Sequence, residues 1–134
     1  MKTYNELRLI TFTGCRMDES VNQDRVFESA AQLFALLSTP MRLKIISAVC
    51  EKEKNVSELL ELIDTTQPNM SQHLAALHRK GVLSKRRDGV QIYYKLQSER
   101  VAMLCRAVCT QVAIEMDDVD GIDAADRLTY NAPG

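Results

Sequence analysis

The residues with the widest chemical range in this sequence are its four cysteines, Cys15, Cys50, Cys105 and Cys109. A thiolate can bind a soft metal ion or attack an electrophile. Cys105 and Cys109 are spaced i, i+4, which places them about one helical turn apart. No Cys-x-x-Cys pair occurs, so the spacing does not match a zinc finger. In a reducing compartment, free cysteines of this kind are more often ligands, redox switches or small buried residues than a disulfide framework.

A second set of chemically capable side chains lies between residues 67 and 91. Amide and hydroxyl groups can bond to base edges, and Lys and Arg can neutralise phosphates. The candidates for DNA contact are Gln67, Asn69, Ser71, Gln72, His73, Arg79, Lys85, Arg86, Arg87 and Gln91. His73 and His78 are spaced i, i+5 and do not share a helix face well, which favours contact or surface roles over metal binding.

The charge distribution supports a nucleic-acid partner for this second set. The net charge of the whole chain is only −1. Between Asn69 and Leu96, however, six Lys and Arg residues stand against Asp88 alone, a balance of +5. The segment Glu115–Gly134 has six acidic residues and one basic residue, a balance of −5. A charge run by itself usually marks a solvated surface, so the basic patch gains its meaning from the elements that hold it.

Those elements begin with two short helices joined by a tight turn. In the first, four apolar residues recur with helical spacing: Val56, Leu59, Leu60 and Ile63. Thr66 can cap the second helix, with Pro68 in its first turn and Gly81 just beyond its end. The second helix has an apolar face made by Met70, Leu74 and Leu77. Two such helices, the second with a polar outer face, predict a helix-turn-helix.

A β-hairpin is predicted directly after these helices. Two β-prone runs, Val82–Arg87 and Val90–Leu96, are separated by Asp88-Gly89, a strong short-range hairpin signal. In the second run, Ile92, Tyr94 and Leu96 alternate with polar residues and are expected to face the interior. A basic hairpin in this position is typical of the wing of a winged helix.

Three further helices are predicted around this centre. The first covers Arg25–Leu37, capped by Asp18 or Ser20; the next covers Met41–Cys50, after Thr39-Pro40. The last covers Glu99–Met116 and is capped by Ser98. The apolar stripe of the first helix is Val26, Ala30, Leu33, Phe34 and Leu37, and that of the last is Val101, Leu104, Cys105, Val108 and Val112.

The predicted fold class is mainly α with a small β-hairpin, a winged helix-turn-helix. Its 134 residues divide into an N-terminal arm (1–20), a DNA-binding and dimerisation domain (21–116) and an acidic flexible tail (117–134). No apolar run approaches a membrane span and no signal-peptide pattern occurs, so we expect a cytoplasmic protein. No nucleophile–base set, phosphate loop or cofactor fingerprint appears, so we do not expect an enzyme.

Three strings occur together and in order: TPMRLKII, QPNMSQHLAALHRKGVL and RRDGVQIYYKL. With them, the segment Phe27–Val112 resembles the ArsR/SmtB family of winged-helix repressors. The resemblance implies a homodimer built on the first and last helices. It also implies a palindromic double-stranded DNA operator and release from that operator when an inducer binds.

Two inducer sites of this family are absent. The arsenic-type Cys-x-Cys pair would lie near NVSELLE, which has no cysteine, and the zinc or nickel site needs histidine on the last helix, which has none. Persulfide-sensing members pair a cysteine on the second helix with one on the last, at positions that correspond to Ser47 and near Ala113 here. Cys50 lies one turn after Ser47 and Cys109 one turn before Ala113, so in antiparallel helices the thiols could still meet.

Three interpretations of the cysteines therefore remain. Cys50 could form a disulfide or polysulfide bridge with Cys109 or Cys105. Alternatively, Cys50, Cys105 and Cys109, with Cys15 from the arm, could bind arsenite, antimonite or cadmium. They could also be inert core residues. Arg106 and Lys44 are candidate cations near the thiols. A function of another class, a winged-helix protein-interaction module with structural cysteines, is the remaining alternative to DNA binding.

Overall fold

The structure is a computed structural model that describes residues 22–120, with side chains through Asp117. The expectations for the N-terminal arm, Cys15, the caps Asp18 and Ser20, and most of the acidic tail lie outside these residues. The chain divides into two compact units at the Leu36–Leu37 bond. The predicted class is confirmed: the described part is mainly helical, with one small antiparallel sheet.

The first unit contains nearly all of helix α1, Gln23–Leu37. Asn22 caps this helix, since its Oδ1 accepts a hydrogen bond from the Asp24 N–H at 3.0 Å. The helix begins two residues earlier than predicted, with Asn22 satisfying the Asp24 N–H in its first turn. Phe34, expected on the apolar stripe, is 59% exposed.

The second unit carries the remaining elements in the predicted order, with one addition. They are α2 (Pro40–Val49), β1 (Lys54–Asn55), α3 (Val56–Leu62), α4 (Gln67–Arg79), β2 (Leu83–Asp88), β3 (Gln91–Leu96) and α5 (Glu99–Asp120). Helix α5 runs four residues further than expected and takes in residues 117–120, which the sequence had assigned to the tail. Within residues 22–120, no helix is long and apolar enough to cross a membrane.

Capping side chains fix where the helices of the second unit begin. Thr39 Oγ1 accepts a hydrogen bond from the Arg42 N–H, and Ser98 Oγ accepts one from the Val101 N–H, both at 3.3 Å. Thr66 does the same for the Asn69 N–H of α4. The predicted caps Thr66 and Ser98 are therefore confirmed, since each satisfies an N–H group that has no partner within its helix.

Helix α4 ends at the predicted glycine. Gly81 has a φ of +74°, a conformation that side chains other than glycine rarely adopt. The Gly81 N–H donates to the His78 carbonyl and the Val82 N–H donates to the Leu77 carbonyl, each at 3.0 Å. This pair of bonds is a Schellman motif, which turns the chain sharply from α4 into β2.

The sheet has three antiparallel strands in the order β1-β3-β2. Strand β1 was not predicted. Two residues are too few to show a period, and only their pairing with Tyr93 and Tyr94 of β3 reveals the strand. The hairpin turn is Gly89-Val90, one residue later than the predicted Asp88-Gly89, because Asp88 pairs with Gln91. Of the two turn residues, only Gly89 has a positive φ, as in a type II′ turn.

The core of the second unit lies where α2, α3, α4 and the start of β2 meet. Its fully buried side chains are Ile45, Ile46, Val49, Leu59, Ile63, Met70, Leu74, Leu77, Leu83 and Val101. The predicted apolar face of α4 is confirmed, as Met70, Leu74 and Leu77 are each 0% exposed. This burial holds α4 in place with its polar side chains outward.

Two predicted apolar faces are less buried than expected. In β3, Tyr94 and Leu96 are only half-buried and Ile92 is exposed, because the hairpin extends away from the core. In α5, Val101 is buried but Val108 and Val112 are 53% and 47% exposed. The strand and the helix form as predicted, but burial does not follow the predicted faces. In β3, Ile92 is exposed whereas Tyr93 and Tyr94 are both half-buried, and in α5, Ala113 is buried in place of Val112.

Candidate nucleic-acid interface and thiol pocket

Eight of the ten predicted DNA-contacting residues are exposed on α4 or the hairpin: Gln67, Ser71, Gln72, Arg79, Lys85, Arg86, Arg87 and Gln91. Gln67 and Gln91, which are far apart in the sequence, line one groove of about 220 Å³ between α3, the start of α4 and the hairpin tip. Val90 lies at that tip. The fold therefore brings the beginning of the second helix of the helix-turn-helix next to the wing.

Asn69 has a local role in the turn before α4. Its Nδ2 donates a hydrogen bond to Thr65 Oγ1 at 2.8 Å, and its backbone N–H donates to Thr66 Oγ1. The side chain is half-buried. Asn69 thus ties the turn of the helix-turn-helix to the first turn of α4, in addition to lying at the predicted interface.

His73 is half-buried and is bonded across the fold. Its Nδ1 accepts a hydrogen bond from Arg42 Nε at 3.3 Å, which links α4 to α2. Burial lowers the pKa of His73 below its ordinary value, and the nearby positive charge of Arg42 lowers it further. His73 is therefore a neutral imidazole at neutral pH.

Arg86 is held by an ion pair within the wing. Its Nη2 lies 2.6 Å from Glu53 Oε1 and its Nε lies 3.2 Å from Glu53 Oε2, a bidentate arrangement. The guanidinium also stacks over the Tyr93 ring, 4.9 Å from its centroid. The hydrogen bond with Arg86 lowers the pKa of Glu53. Both side chains are partly exposed, so the pair fixes geometry more than it adds stability.

The two basic neighbours of Arg86 project from the opposite face of strand β2. Lys85 pairs with Tyr94 and Arg87 with Ile92, whereas Arg86 pairs with Tyr93. Arg87 Nε donates a hydrogen bond to the Gly89 carbonyl at 3.1 Å, which braces the turn. Both residues are exposed, so the wing presents these cations away from the Glu53–Arg86 pair.

The three cysteines of the second unit line one pocket of about 310 Å³ between α2 and α5. Its lining residues are Leu43, Ile46, Ser47, Cys50, Glu51, Ala102, Cys105, Arg106, Cys109 and Thr110. Ser47 is among them; by the sequence resemblance, it corresponds to a sensing cysteine in the persulfide-sensing members of the ArsR/SmtB family. Arg106 is the predicted cation that lines the pocket, and Lys44 is not among the lining residues.

The three thiols differ in their surroundings. Cys50 is exposed and its Sγ donates a hydrogen bond to the Ser47 carbonyl at 3.1 Å. Cys105 and Cys109 are half-buried. Burial raises the pKa of Cys105, and the neighbouring Cys109 raises it further, so the Cys105 thiol is protonated at neutral pH. All three are free thiols.

The described residues contain no preformed site for the metal ion that one interpretation of the cysteines predicts. Among residues 22–120, no group of three or more His, Cys, Asp or Glu side chains is arranged to hold a metal ion. Cys15, the fourth candidate ligand, lies outside these residues.

Sequence reasoning missed two residues that bond to candidate DNA-contacting side chains. Arg42 and Glu53 were not among the predicted site residues, yet they bond to His73 and Arg86 across 31 and 33 positions of the chain. No local pattern signals such partners.

Comparison with known proteins agrees with this geometry. The family described as "Bacterial regulatory protein, arsR family" matches residues 39–85. The chain is 38% identical over 85 residues to the biofilm growth-associated repressor of Xylella fastidiosa (strain Temecula1), covering 60% of this chain and 75% of that protein. It is 34% identical over 73 residues to the transcriptional regulator KmtR of Mycobacterium tuberculosis, covering 54% of this chain and 56% of KmtR.

A solved structure shares the fold as well. The homodimeric winged helix-turn-helix DNA-binding domain Mb0332 of Mycobacterium bovis superposes with a TM-score of 0.59 at 26% identity. The match covers 72% of this chain and 88% of that one. With its helix-turn-helix, basic wing and matching relatives, the chain belongs to the ArsR family of DNA-binding transcriptional repressors, which are not enzymes.

Proposed function

We propose that this protein is a homodimeric repressor of a palindromic operator and that thiol chemistry at Cys50, with Cys109 or Cys105, releases it from DNA. The observation that carries the thiol part is the pocket between α2 and α5, which all three cysteines line. Cys50 comes from one wall, and Cys105 and Cys109 come from the other.

The DNA-binding part of the proposal is supported by the surface of α4 and the wing. Gln67, Ser71 and Gln72 are exposed near the start of α4, where a helix in the major groove brings its side chains to base edges. Lys85 and Arg87 are exposed cations on the wing and suit contact with phosphates. We therefore assign contacts with base edges to α4 and contacts with the DNA backbone to the wing.

The homodimer is supported by the exposed apolar side chains of α5. Val108, Val112 and Met116 are each about half exposed on this long helix. A helix with such a face normally buries it against a partner. Since Mb0332 is a homodimer, a second copy of this chain is the partner we propose, with α5 in the interface.

The chemistry of release follows from the accessibility of the thiols. Cys50, the exposed thiol, reacts first with an oxidant such as a peroxide, giving a sulfenic acid, and Cys109 or Cys105 then displaces water to form a disulfide. With hydrogen disulfide as oxidant, two cysteine thiols and two HSSH molecules give one trisulfide bridge and three molecules of H₂S. Either bridge joins α2 to α5 and so changes how these helices pack.

A soft metalloid is the second candidate, because the same pocket offers three thiols to arsenite or cadmium. Such an ion would draw Cys50, Cys105 and Cys109 together, with displacement of their protons. The two chemistries differ in mass, since a disulfide removes two hydrogens whereas a bound metalloid adds its own mass.

The test is intact mass measured beside an operator-shift assay. The reduced full-length protein is treated in turn with polysulfide, peroxide and arsenite. We expect peroxide to remove two hydrogens per chain, polysulfide to add bridging sulfur, and both to release DNA. Cys50→Ser should abolish bridge formation and release, while Cys15→Ser, the matched control, should respond like wild type.

Three other outcomes would change this conclusion. Release by arsenite alone, with an adduct that needs Cys50, Cys105 and Cys109, would assign the protein to metalloid sensing. Bridge formation without DNA release would remove the thiols from regulation. Failure of the reduced protein to bind any palindrome selected from random DNA would overturn the operator proposal itself.

A further inference from the structure

The hydrogen bond between Arg42 and His73 joins two helices that have different tasks. Arg42 lies near the start of α2 and His73 lies in the middle of α4, and Arg42 Nε is 3.3 Å from His73 Nδ1. Both side chains are half-buried. The helices that carry them are anchored by fully buried residues, Ile45 and Ile46 on α2 and Met70 and Leu74 on α4. The two partners are therefore held in register by the core.

The chemistry of the two side chains determines where the imidazole proton lies. A guanidinium has five donors and no acceptor, so Arg42 must donate in this bond. His73 Nδ1 must then offer its lone pair. In a neutral imidazole the single proton consequently lies on Nε2. Burial and the charge of Arg42 both lower the pKa of His73, which keeps the ring neutral at physiological pH.

We propose that Arg42 is a positioning residue for DNA recognition, which holds His73 in the Nε2–H tautomer so that the ring offers a hydrogen-bond donor to the operator. The acceptor is an oxygen or nitrogen on DNA, either on a base edge such as guanine O6 or N7, or on a phosphate. Without Arg42, His73 is free to exchange between two tautomers, one of which offers an acceptor instead of a donor. Arg42 thus acts on DNA through His73.

The first test is the tautomer itself, read by long-range ¹H–¹⁵N correlation of the ¹⁵N-labelled full-length protein. The chain has only two histidines, so His78→Gln assigns the spectrum. We expect His73 to show the Nε2–H pattern at pH 7.5. The Nε2–H pattern should become mixed in Arg42→Met and persist in Arg42→Lys, which keeps a donor. A wild-type His73 with its proton on Nδ1 would overturn the proposal, and this measurement needs no variant of Arg42.

The second test asks whether Arg42 acts through His73, using a double-mutant cycle for operator affinity. Arg42→Met and His73→Leu should each weaken specific binding about three- to tenfold, as expected for one hydrogen bond. The double variant should lose no more than His73→Leu alone. Arg79→Met, which removes an exposed cation from α4, is the matched control and should combine additively with His73→Leu.

The outcomes of this cycle separate the possibilities. Additive losses for Arg42→Met and His73→Leu would mean that Arg42 contacts DNA or supports the fold independently, and the proposal would fail. If the cycle is non-additive, binding to single-base operator variants identifies the acceptor. His73→Leu should lose the preference at one base position if the acceptor is a base edge, and should weaken binding equally on every variant if it is a phosphate. Arg42→Lys keeps a hydrogen-bond donor at this position. If it binds the operator as wild type does while Arg42→Met does not, the loss in Arg42→Met comes from the missing donor and not from a fold defect.

Discussion

Helices α4 and α5 are both amphipathic in sequence, but only α4 buries its apolar face within the chain. Met70, Leu74 and Leu77 of α4 are fully buried against α2, α3 and β2. In α5, Val101 and Ala113 are buried, whereas Val108, Val112 and Met116 are exposed. The period of an apolar stripe thus shows that a partner surface exists but does not say whether it belongs to the same chain. The contrast places α4 in the fold of the chain and supports the proposed role of α5 in a homodimer.

The largest expected effect is loss of the buried face of α4. Leu74→Ala should lower the free energy of unfolding by about 2–5 kcal/mol, because it removes a fully buried side chain and leaves a cavity. Urea unfolding followed by circular dichroism measures this loss. Gln72→Ala on the exposed face of the same helix is the control and should change it by less than about 0.5 kcal/mol. Equal effects of the two changes would contradict the assignment of α4 to the core.

The corresponding change in α5 should affect assembly instead of folding. Val108→Asp with Val112→Asp places two carboxylates on the exposed apolar face and should weaken the proposed homodimer at least about 100-fold, since burying each charge is costly. Sedimentation equilibrium measures the change, and the helical content should remain. Gln111→Glu, which adds one carboxylate at a polar position, is the control. A double variant that is still a dimer would place the interface elsewhere.

Two glutamines, one on α4 and one on α5, test the same comparison between these helices, with a smaller expected effect. Gln72 of α4 is exposed, whereas Gln111 of α5 already donates a hydrogen bond to Glu115 at 3.0 Å. Gln72→Ala should cost about 1–3 kcal/mol of discrimination at one base position of the operator. Gln111→Ala should leave the base preference unchanged. Binding titrations on single-base operator variants test both, and a uniform loss on every variant would contradict a base contact by Gln72.

The smallest expected effect concerns two adjacent cations of the wing. Arg86 is paired with Glu53, whereas Lys85 is exposed on the other face of β2. Lys85→Ala should reduce the slope of log K against log salt by about 0.9, the value for one phosphate contact. Arg86→Ala should reduce it less, because the charge of Arg86 is already partly neutralised.

Glu53→Gln is the informative partner of these wing variants. Removing the carboxylate releases Arg86, so the salt slope should increase relative to wild type. Equal slopes for Lys85→Ala and Arg86→Ala, with no effect of Glu53→Gln, would show that the ion pair opens when DNA binds and that Arg86 contacts phosphate as the sequence predicts.

The sequence by itself determined the features that depend on neighbours within a few residues. The caps Thr66 and Ser98, the glycine that ends α4, and the hairpin that follows were all predicted, because each rests on a local hydrogen bond or a local backbone conformation. The winged helix-turn-helix class followed from their order. The apolar face of α4 also followed, since a regular helical period needs a single buried side.

Tertiary structure alone decided which distant side chains meet. The pairing of β1 with β3, the bond from Arg42 to His73 and the ion pair of Glu53 with Arg86 each join residues more than thirty positions apart. The pocket that collects Cys50, Cys105 and Cys109 depends in the same way on how α2 and α5 approach each other. Such contacts arise from packing of whole elements, whose relative placement has no local signature in the chain.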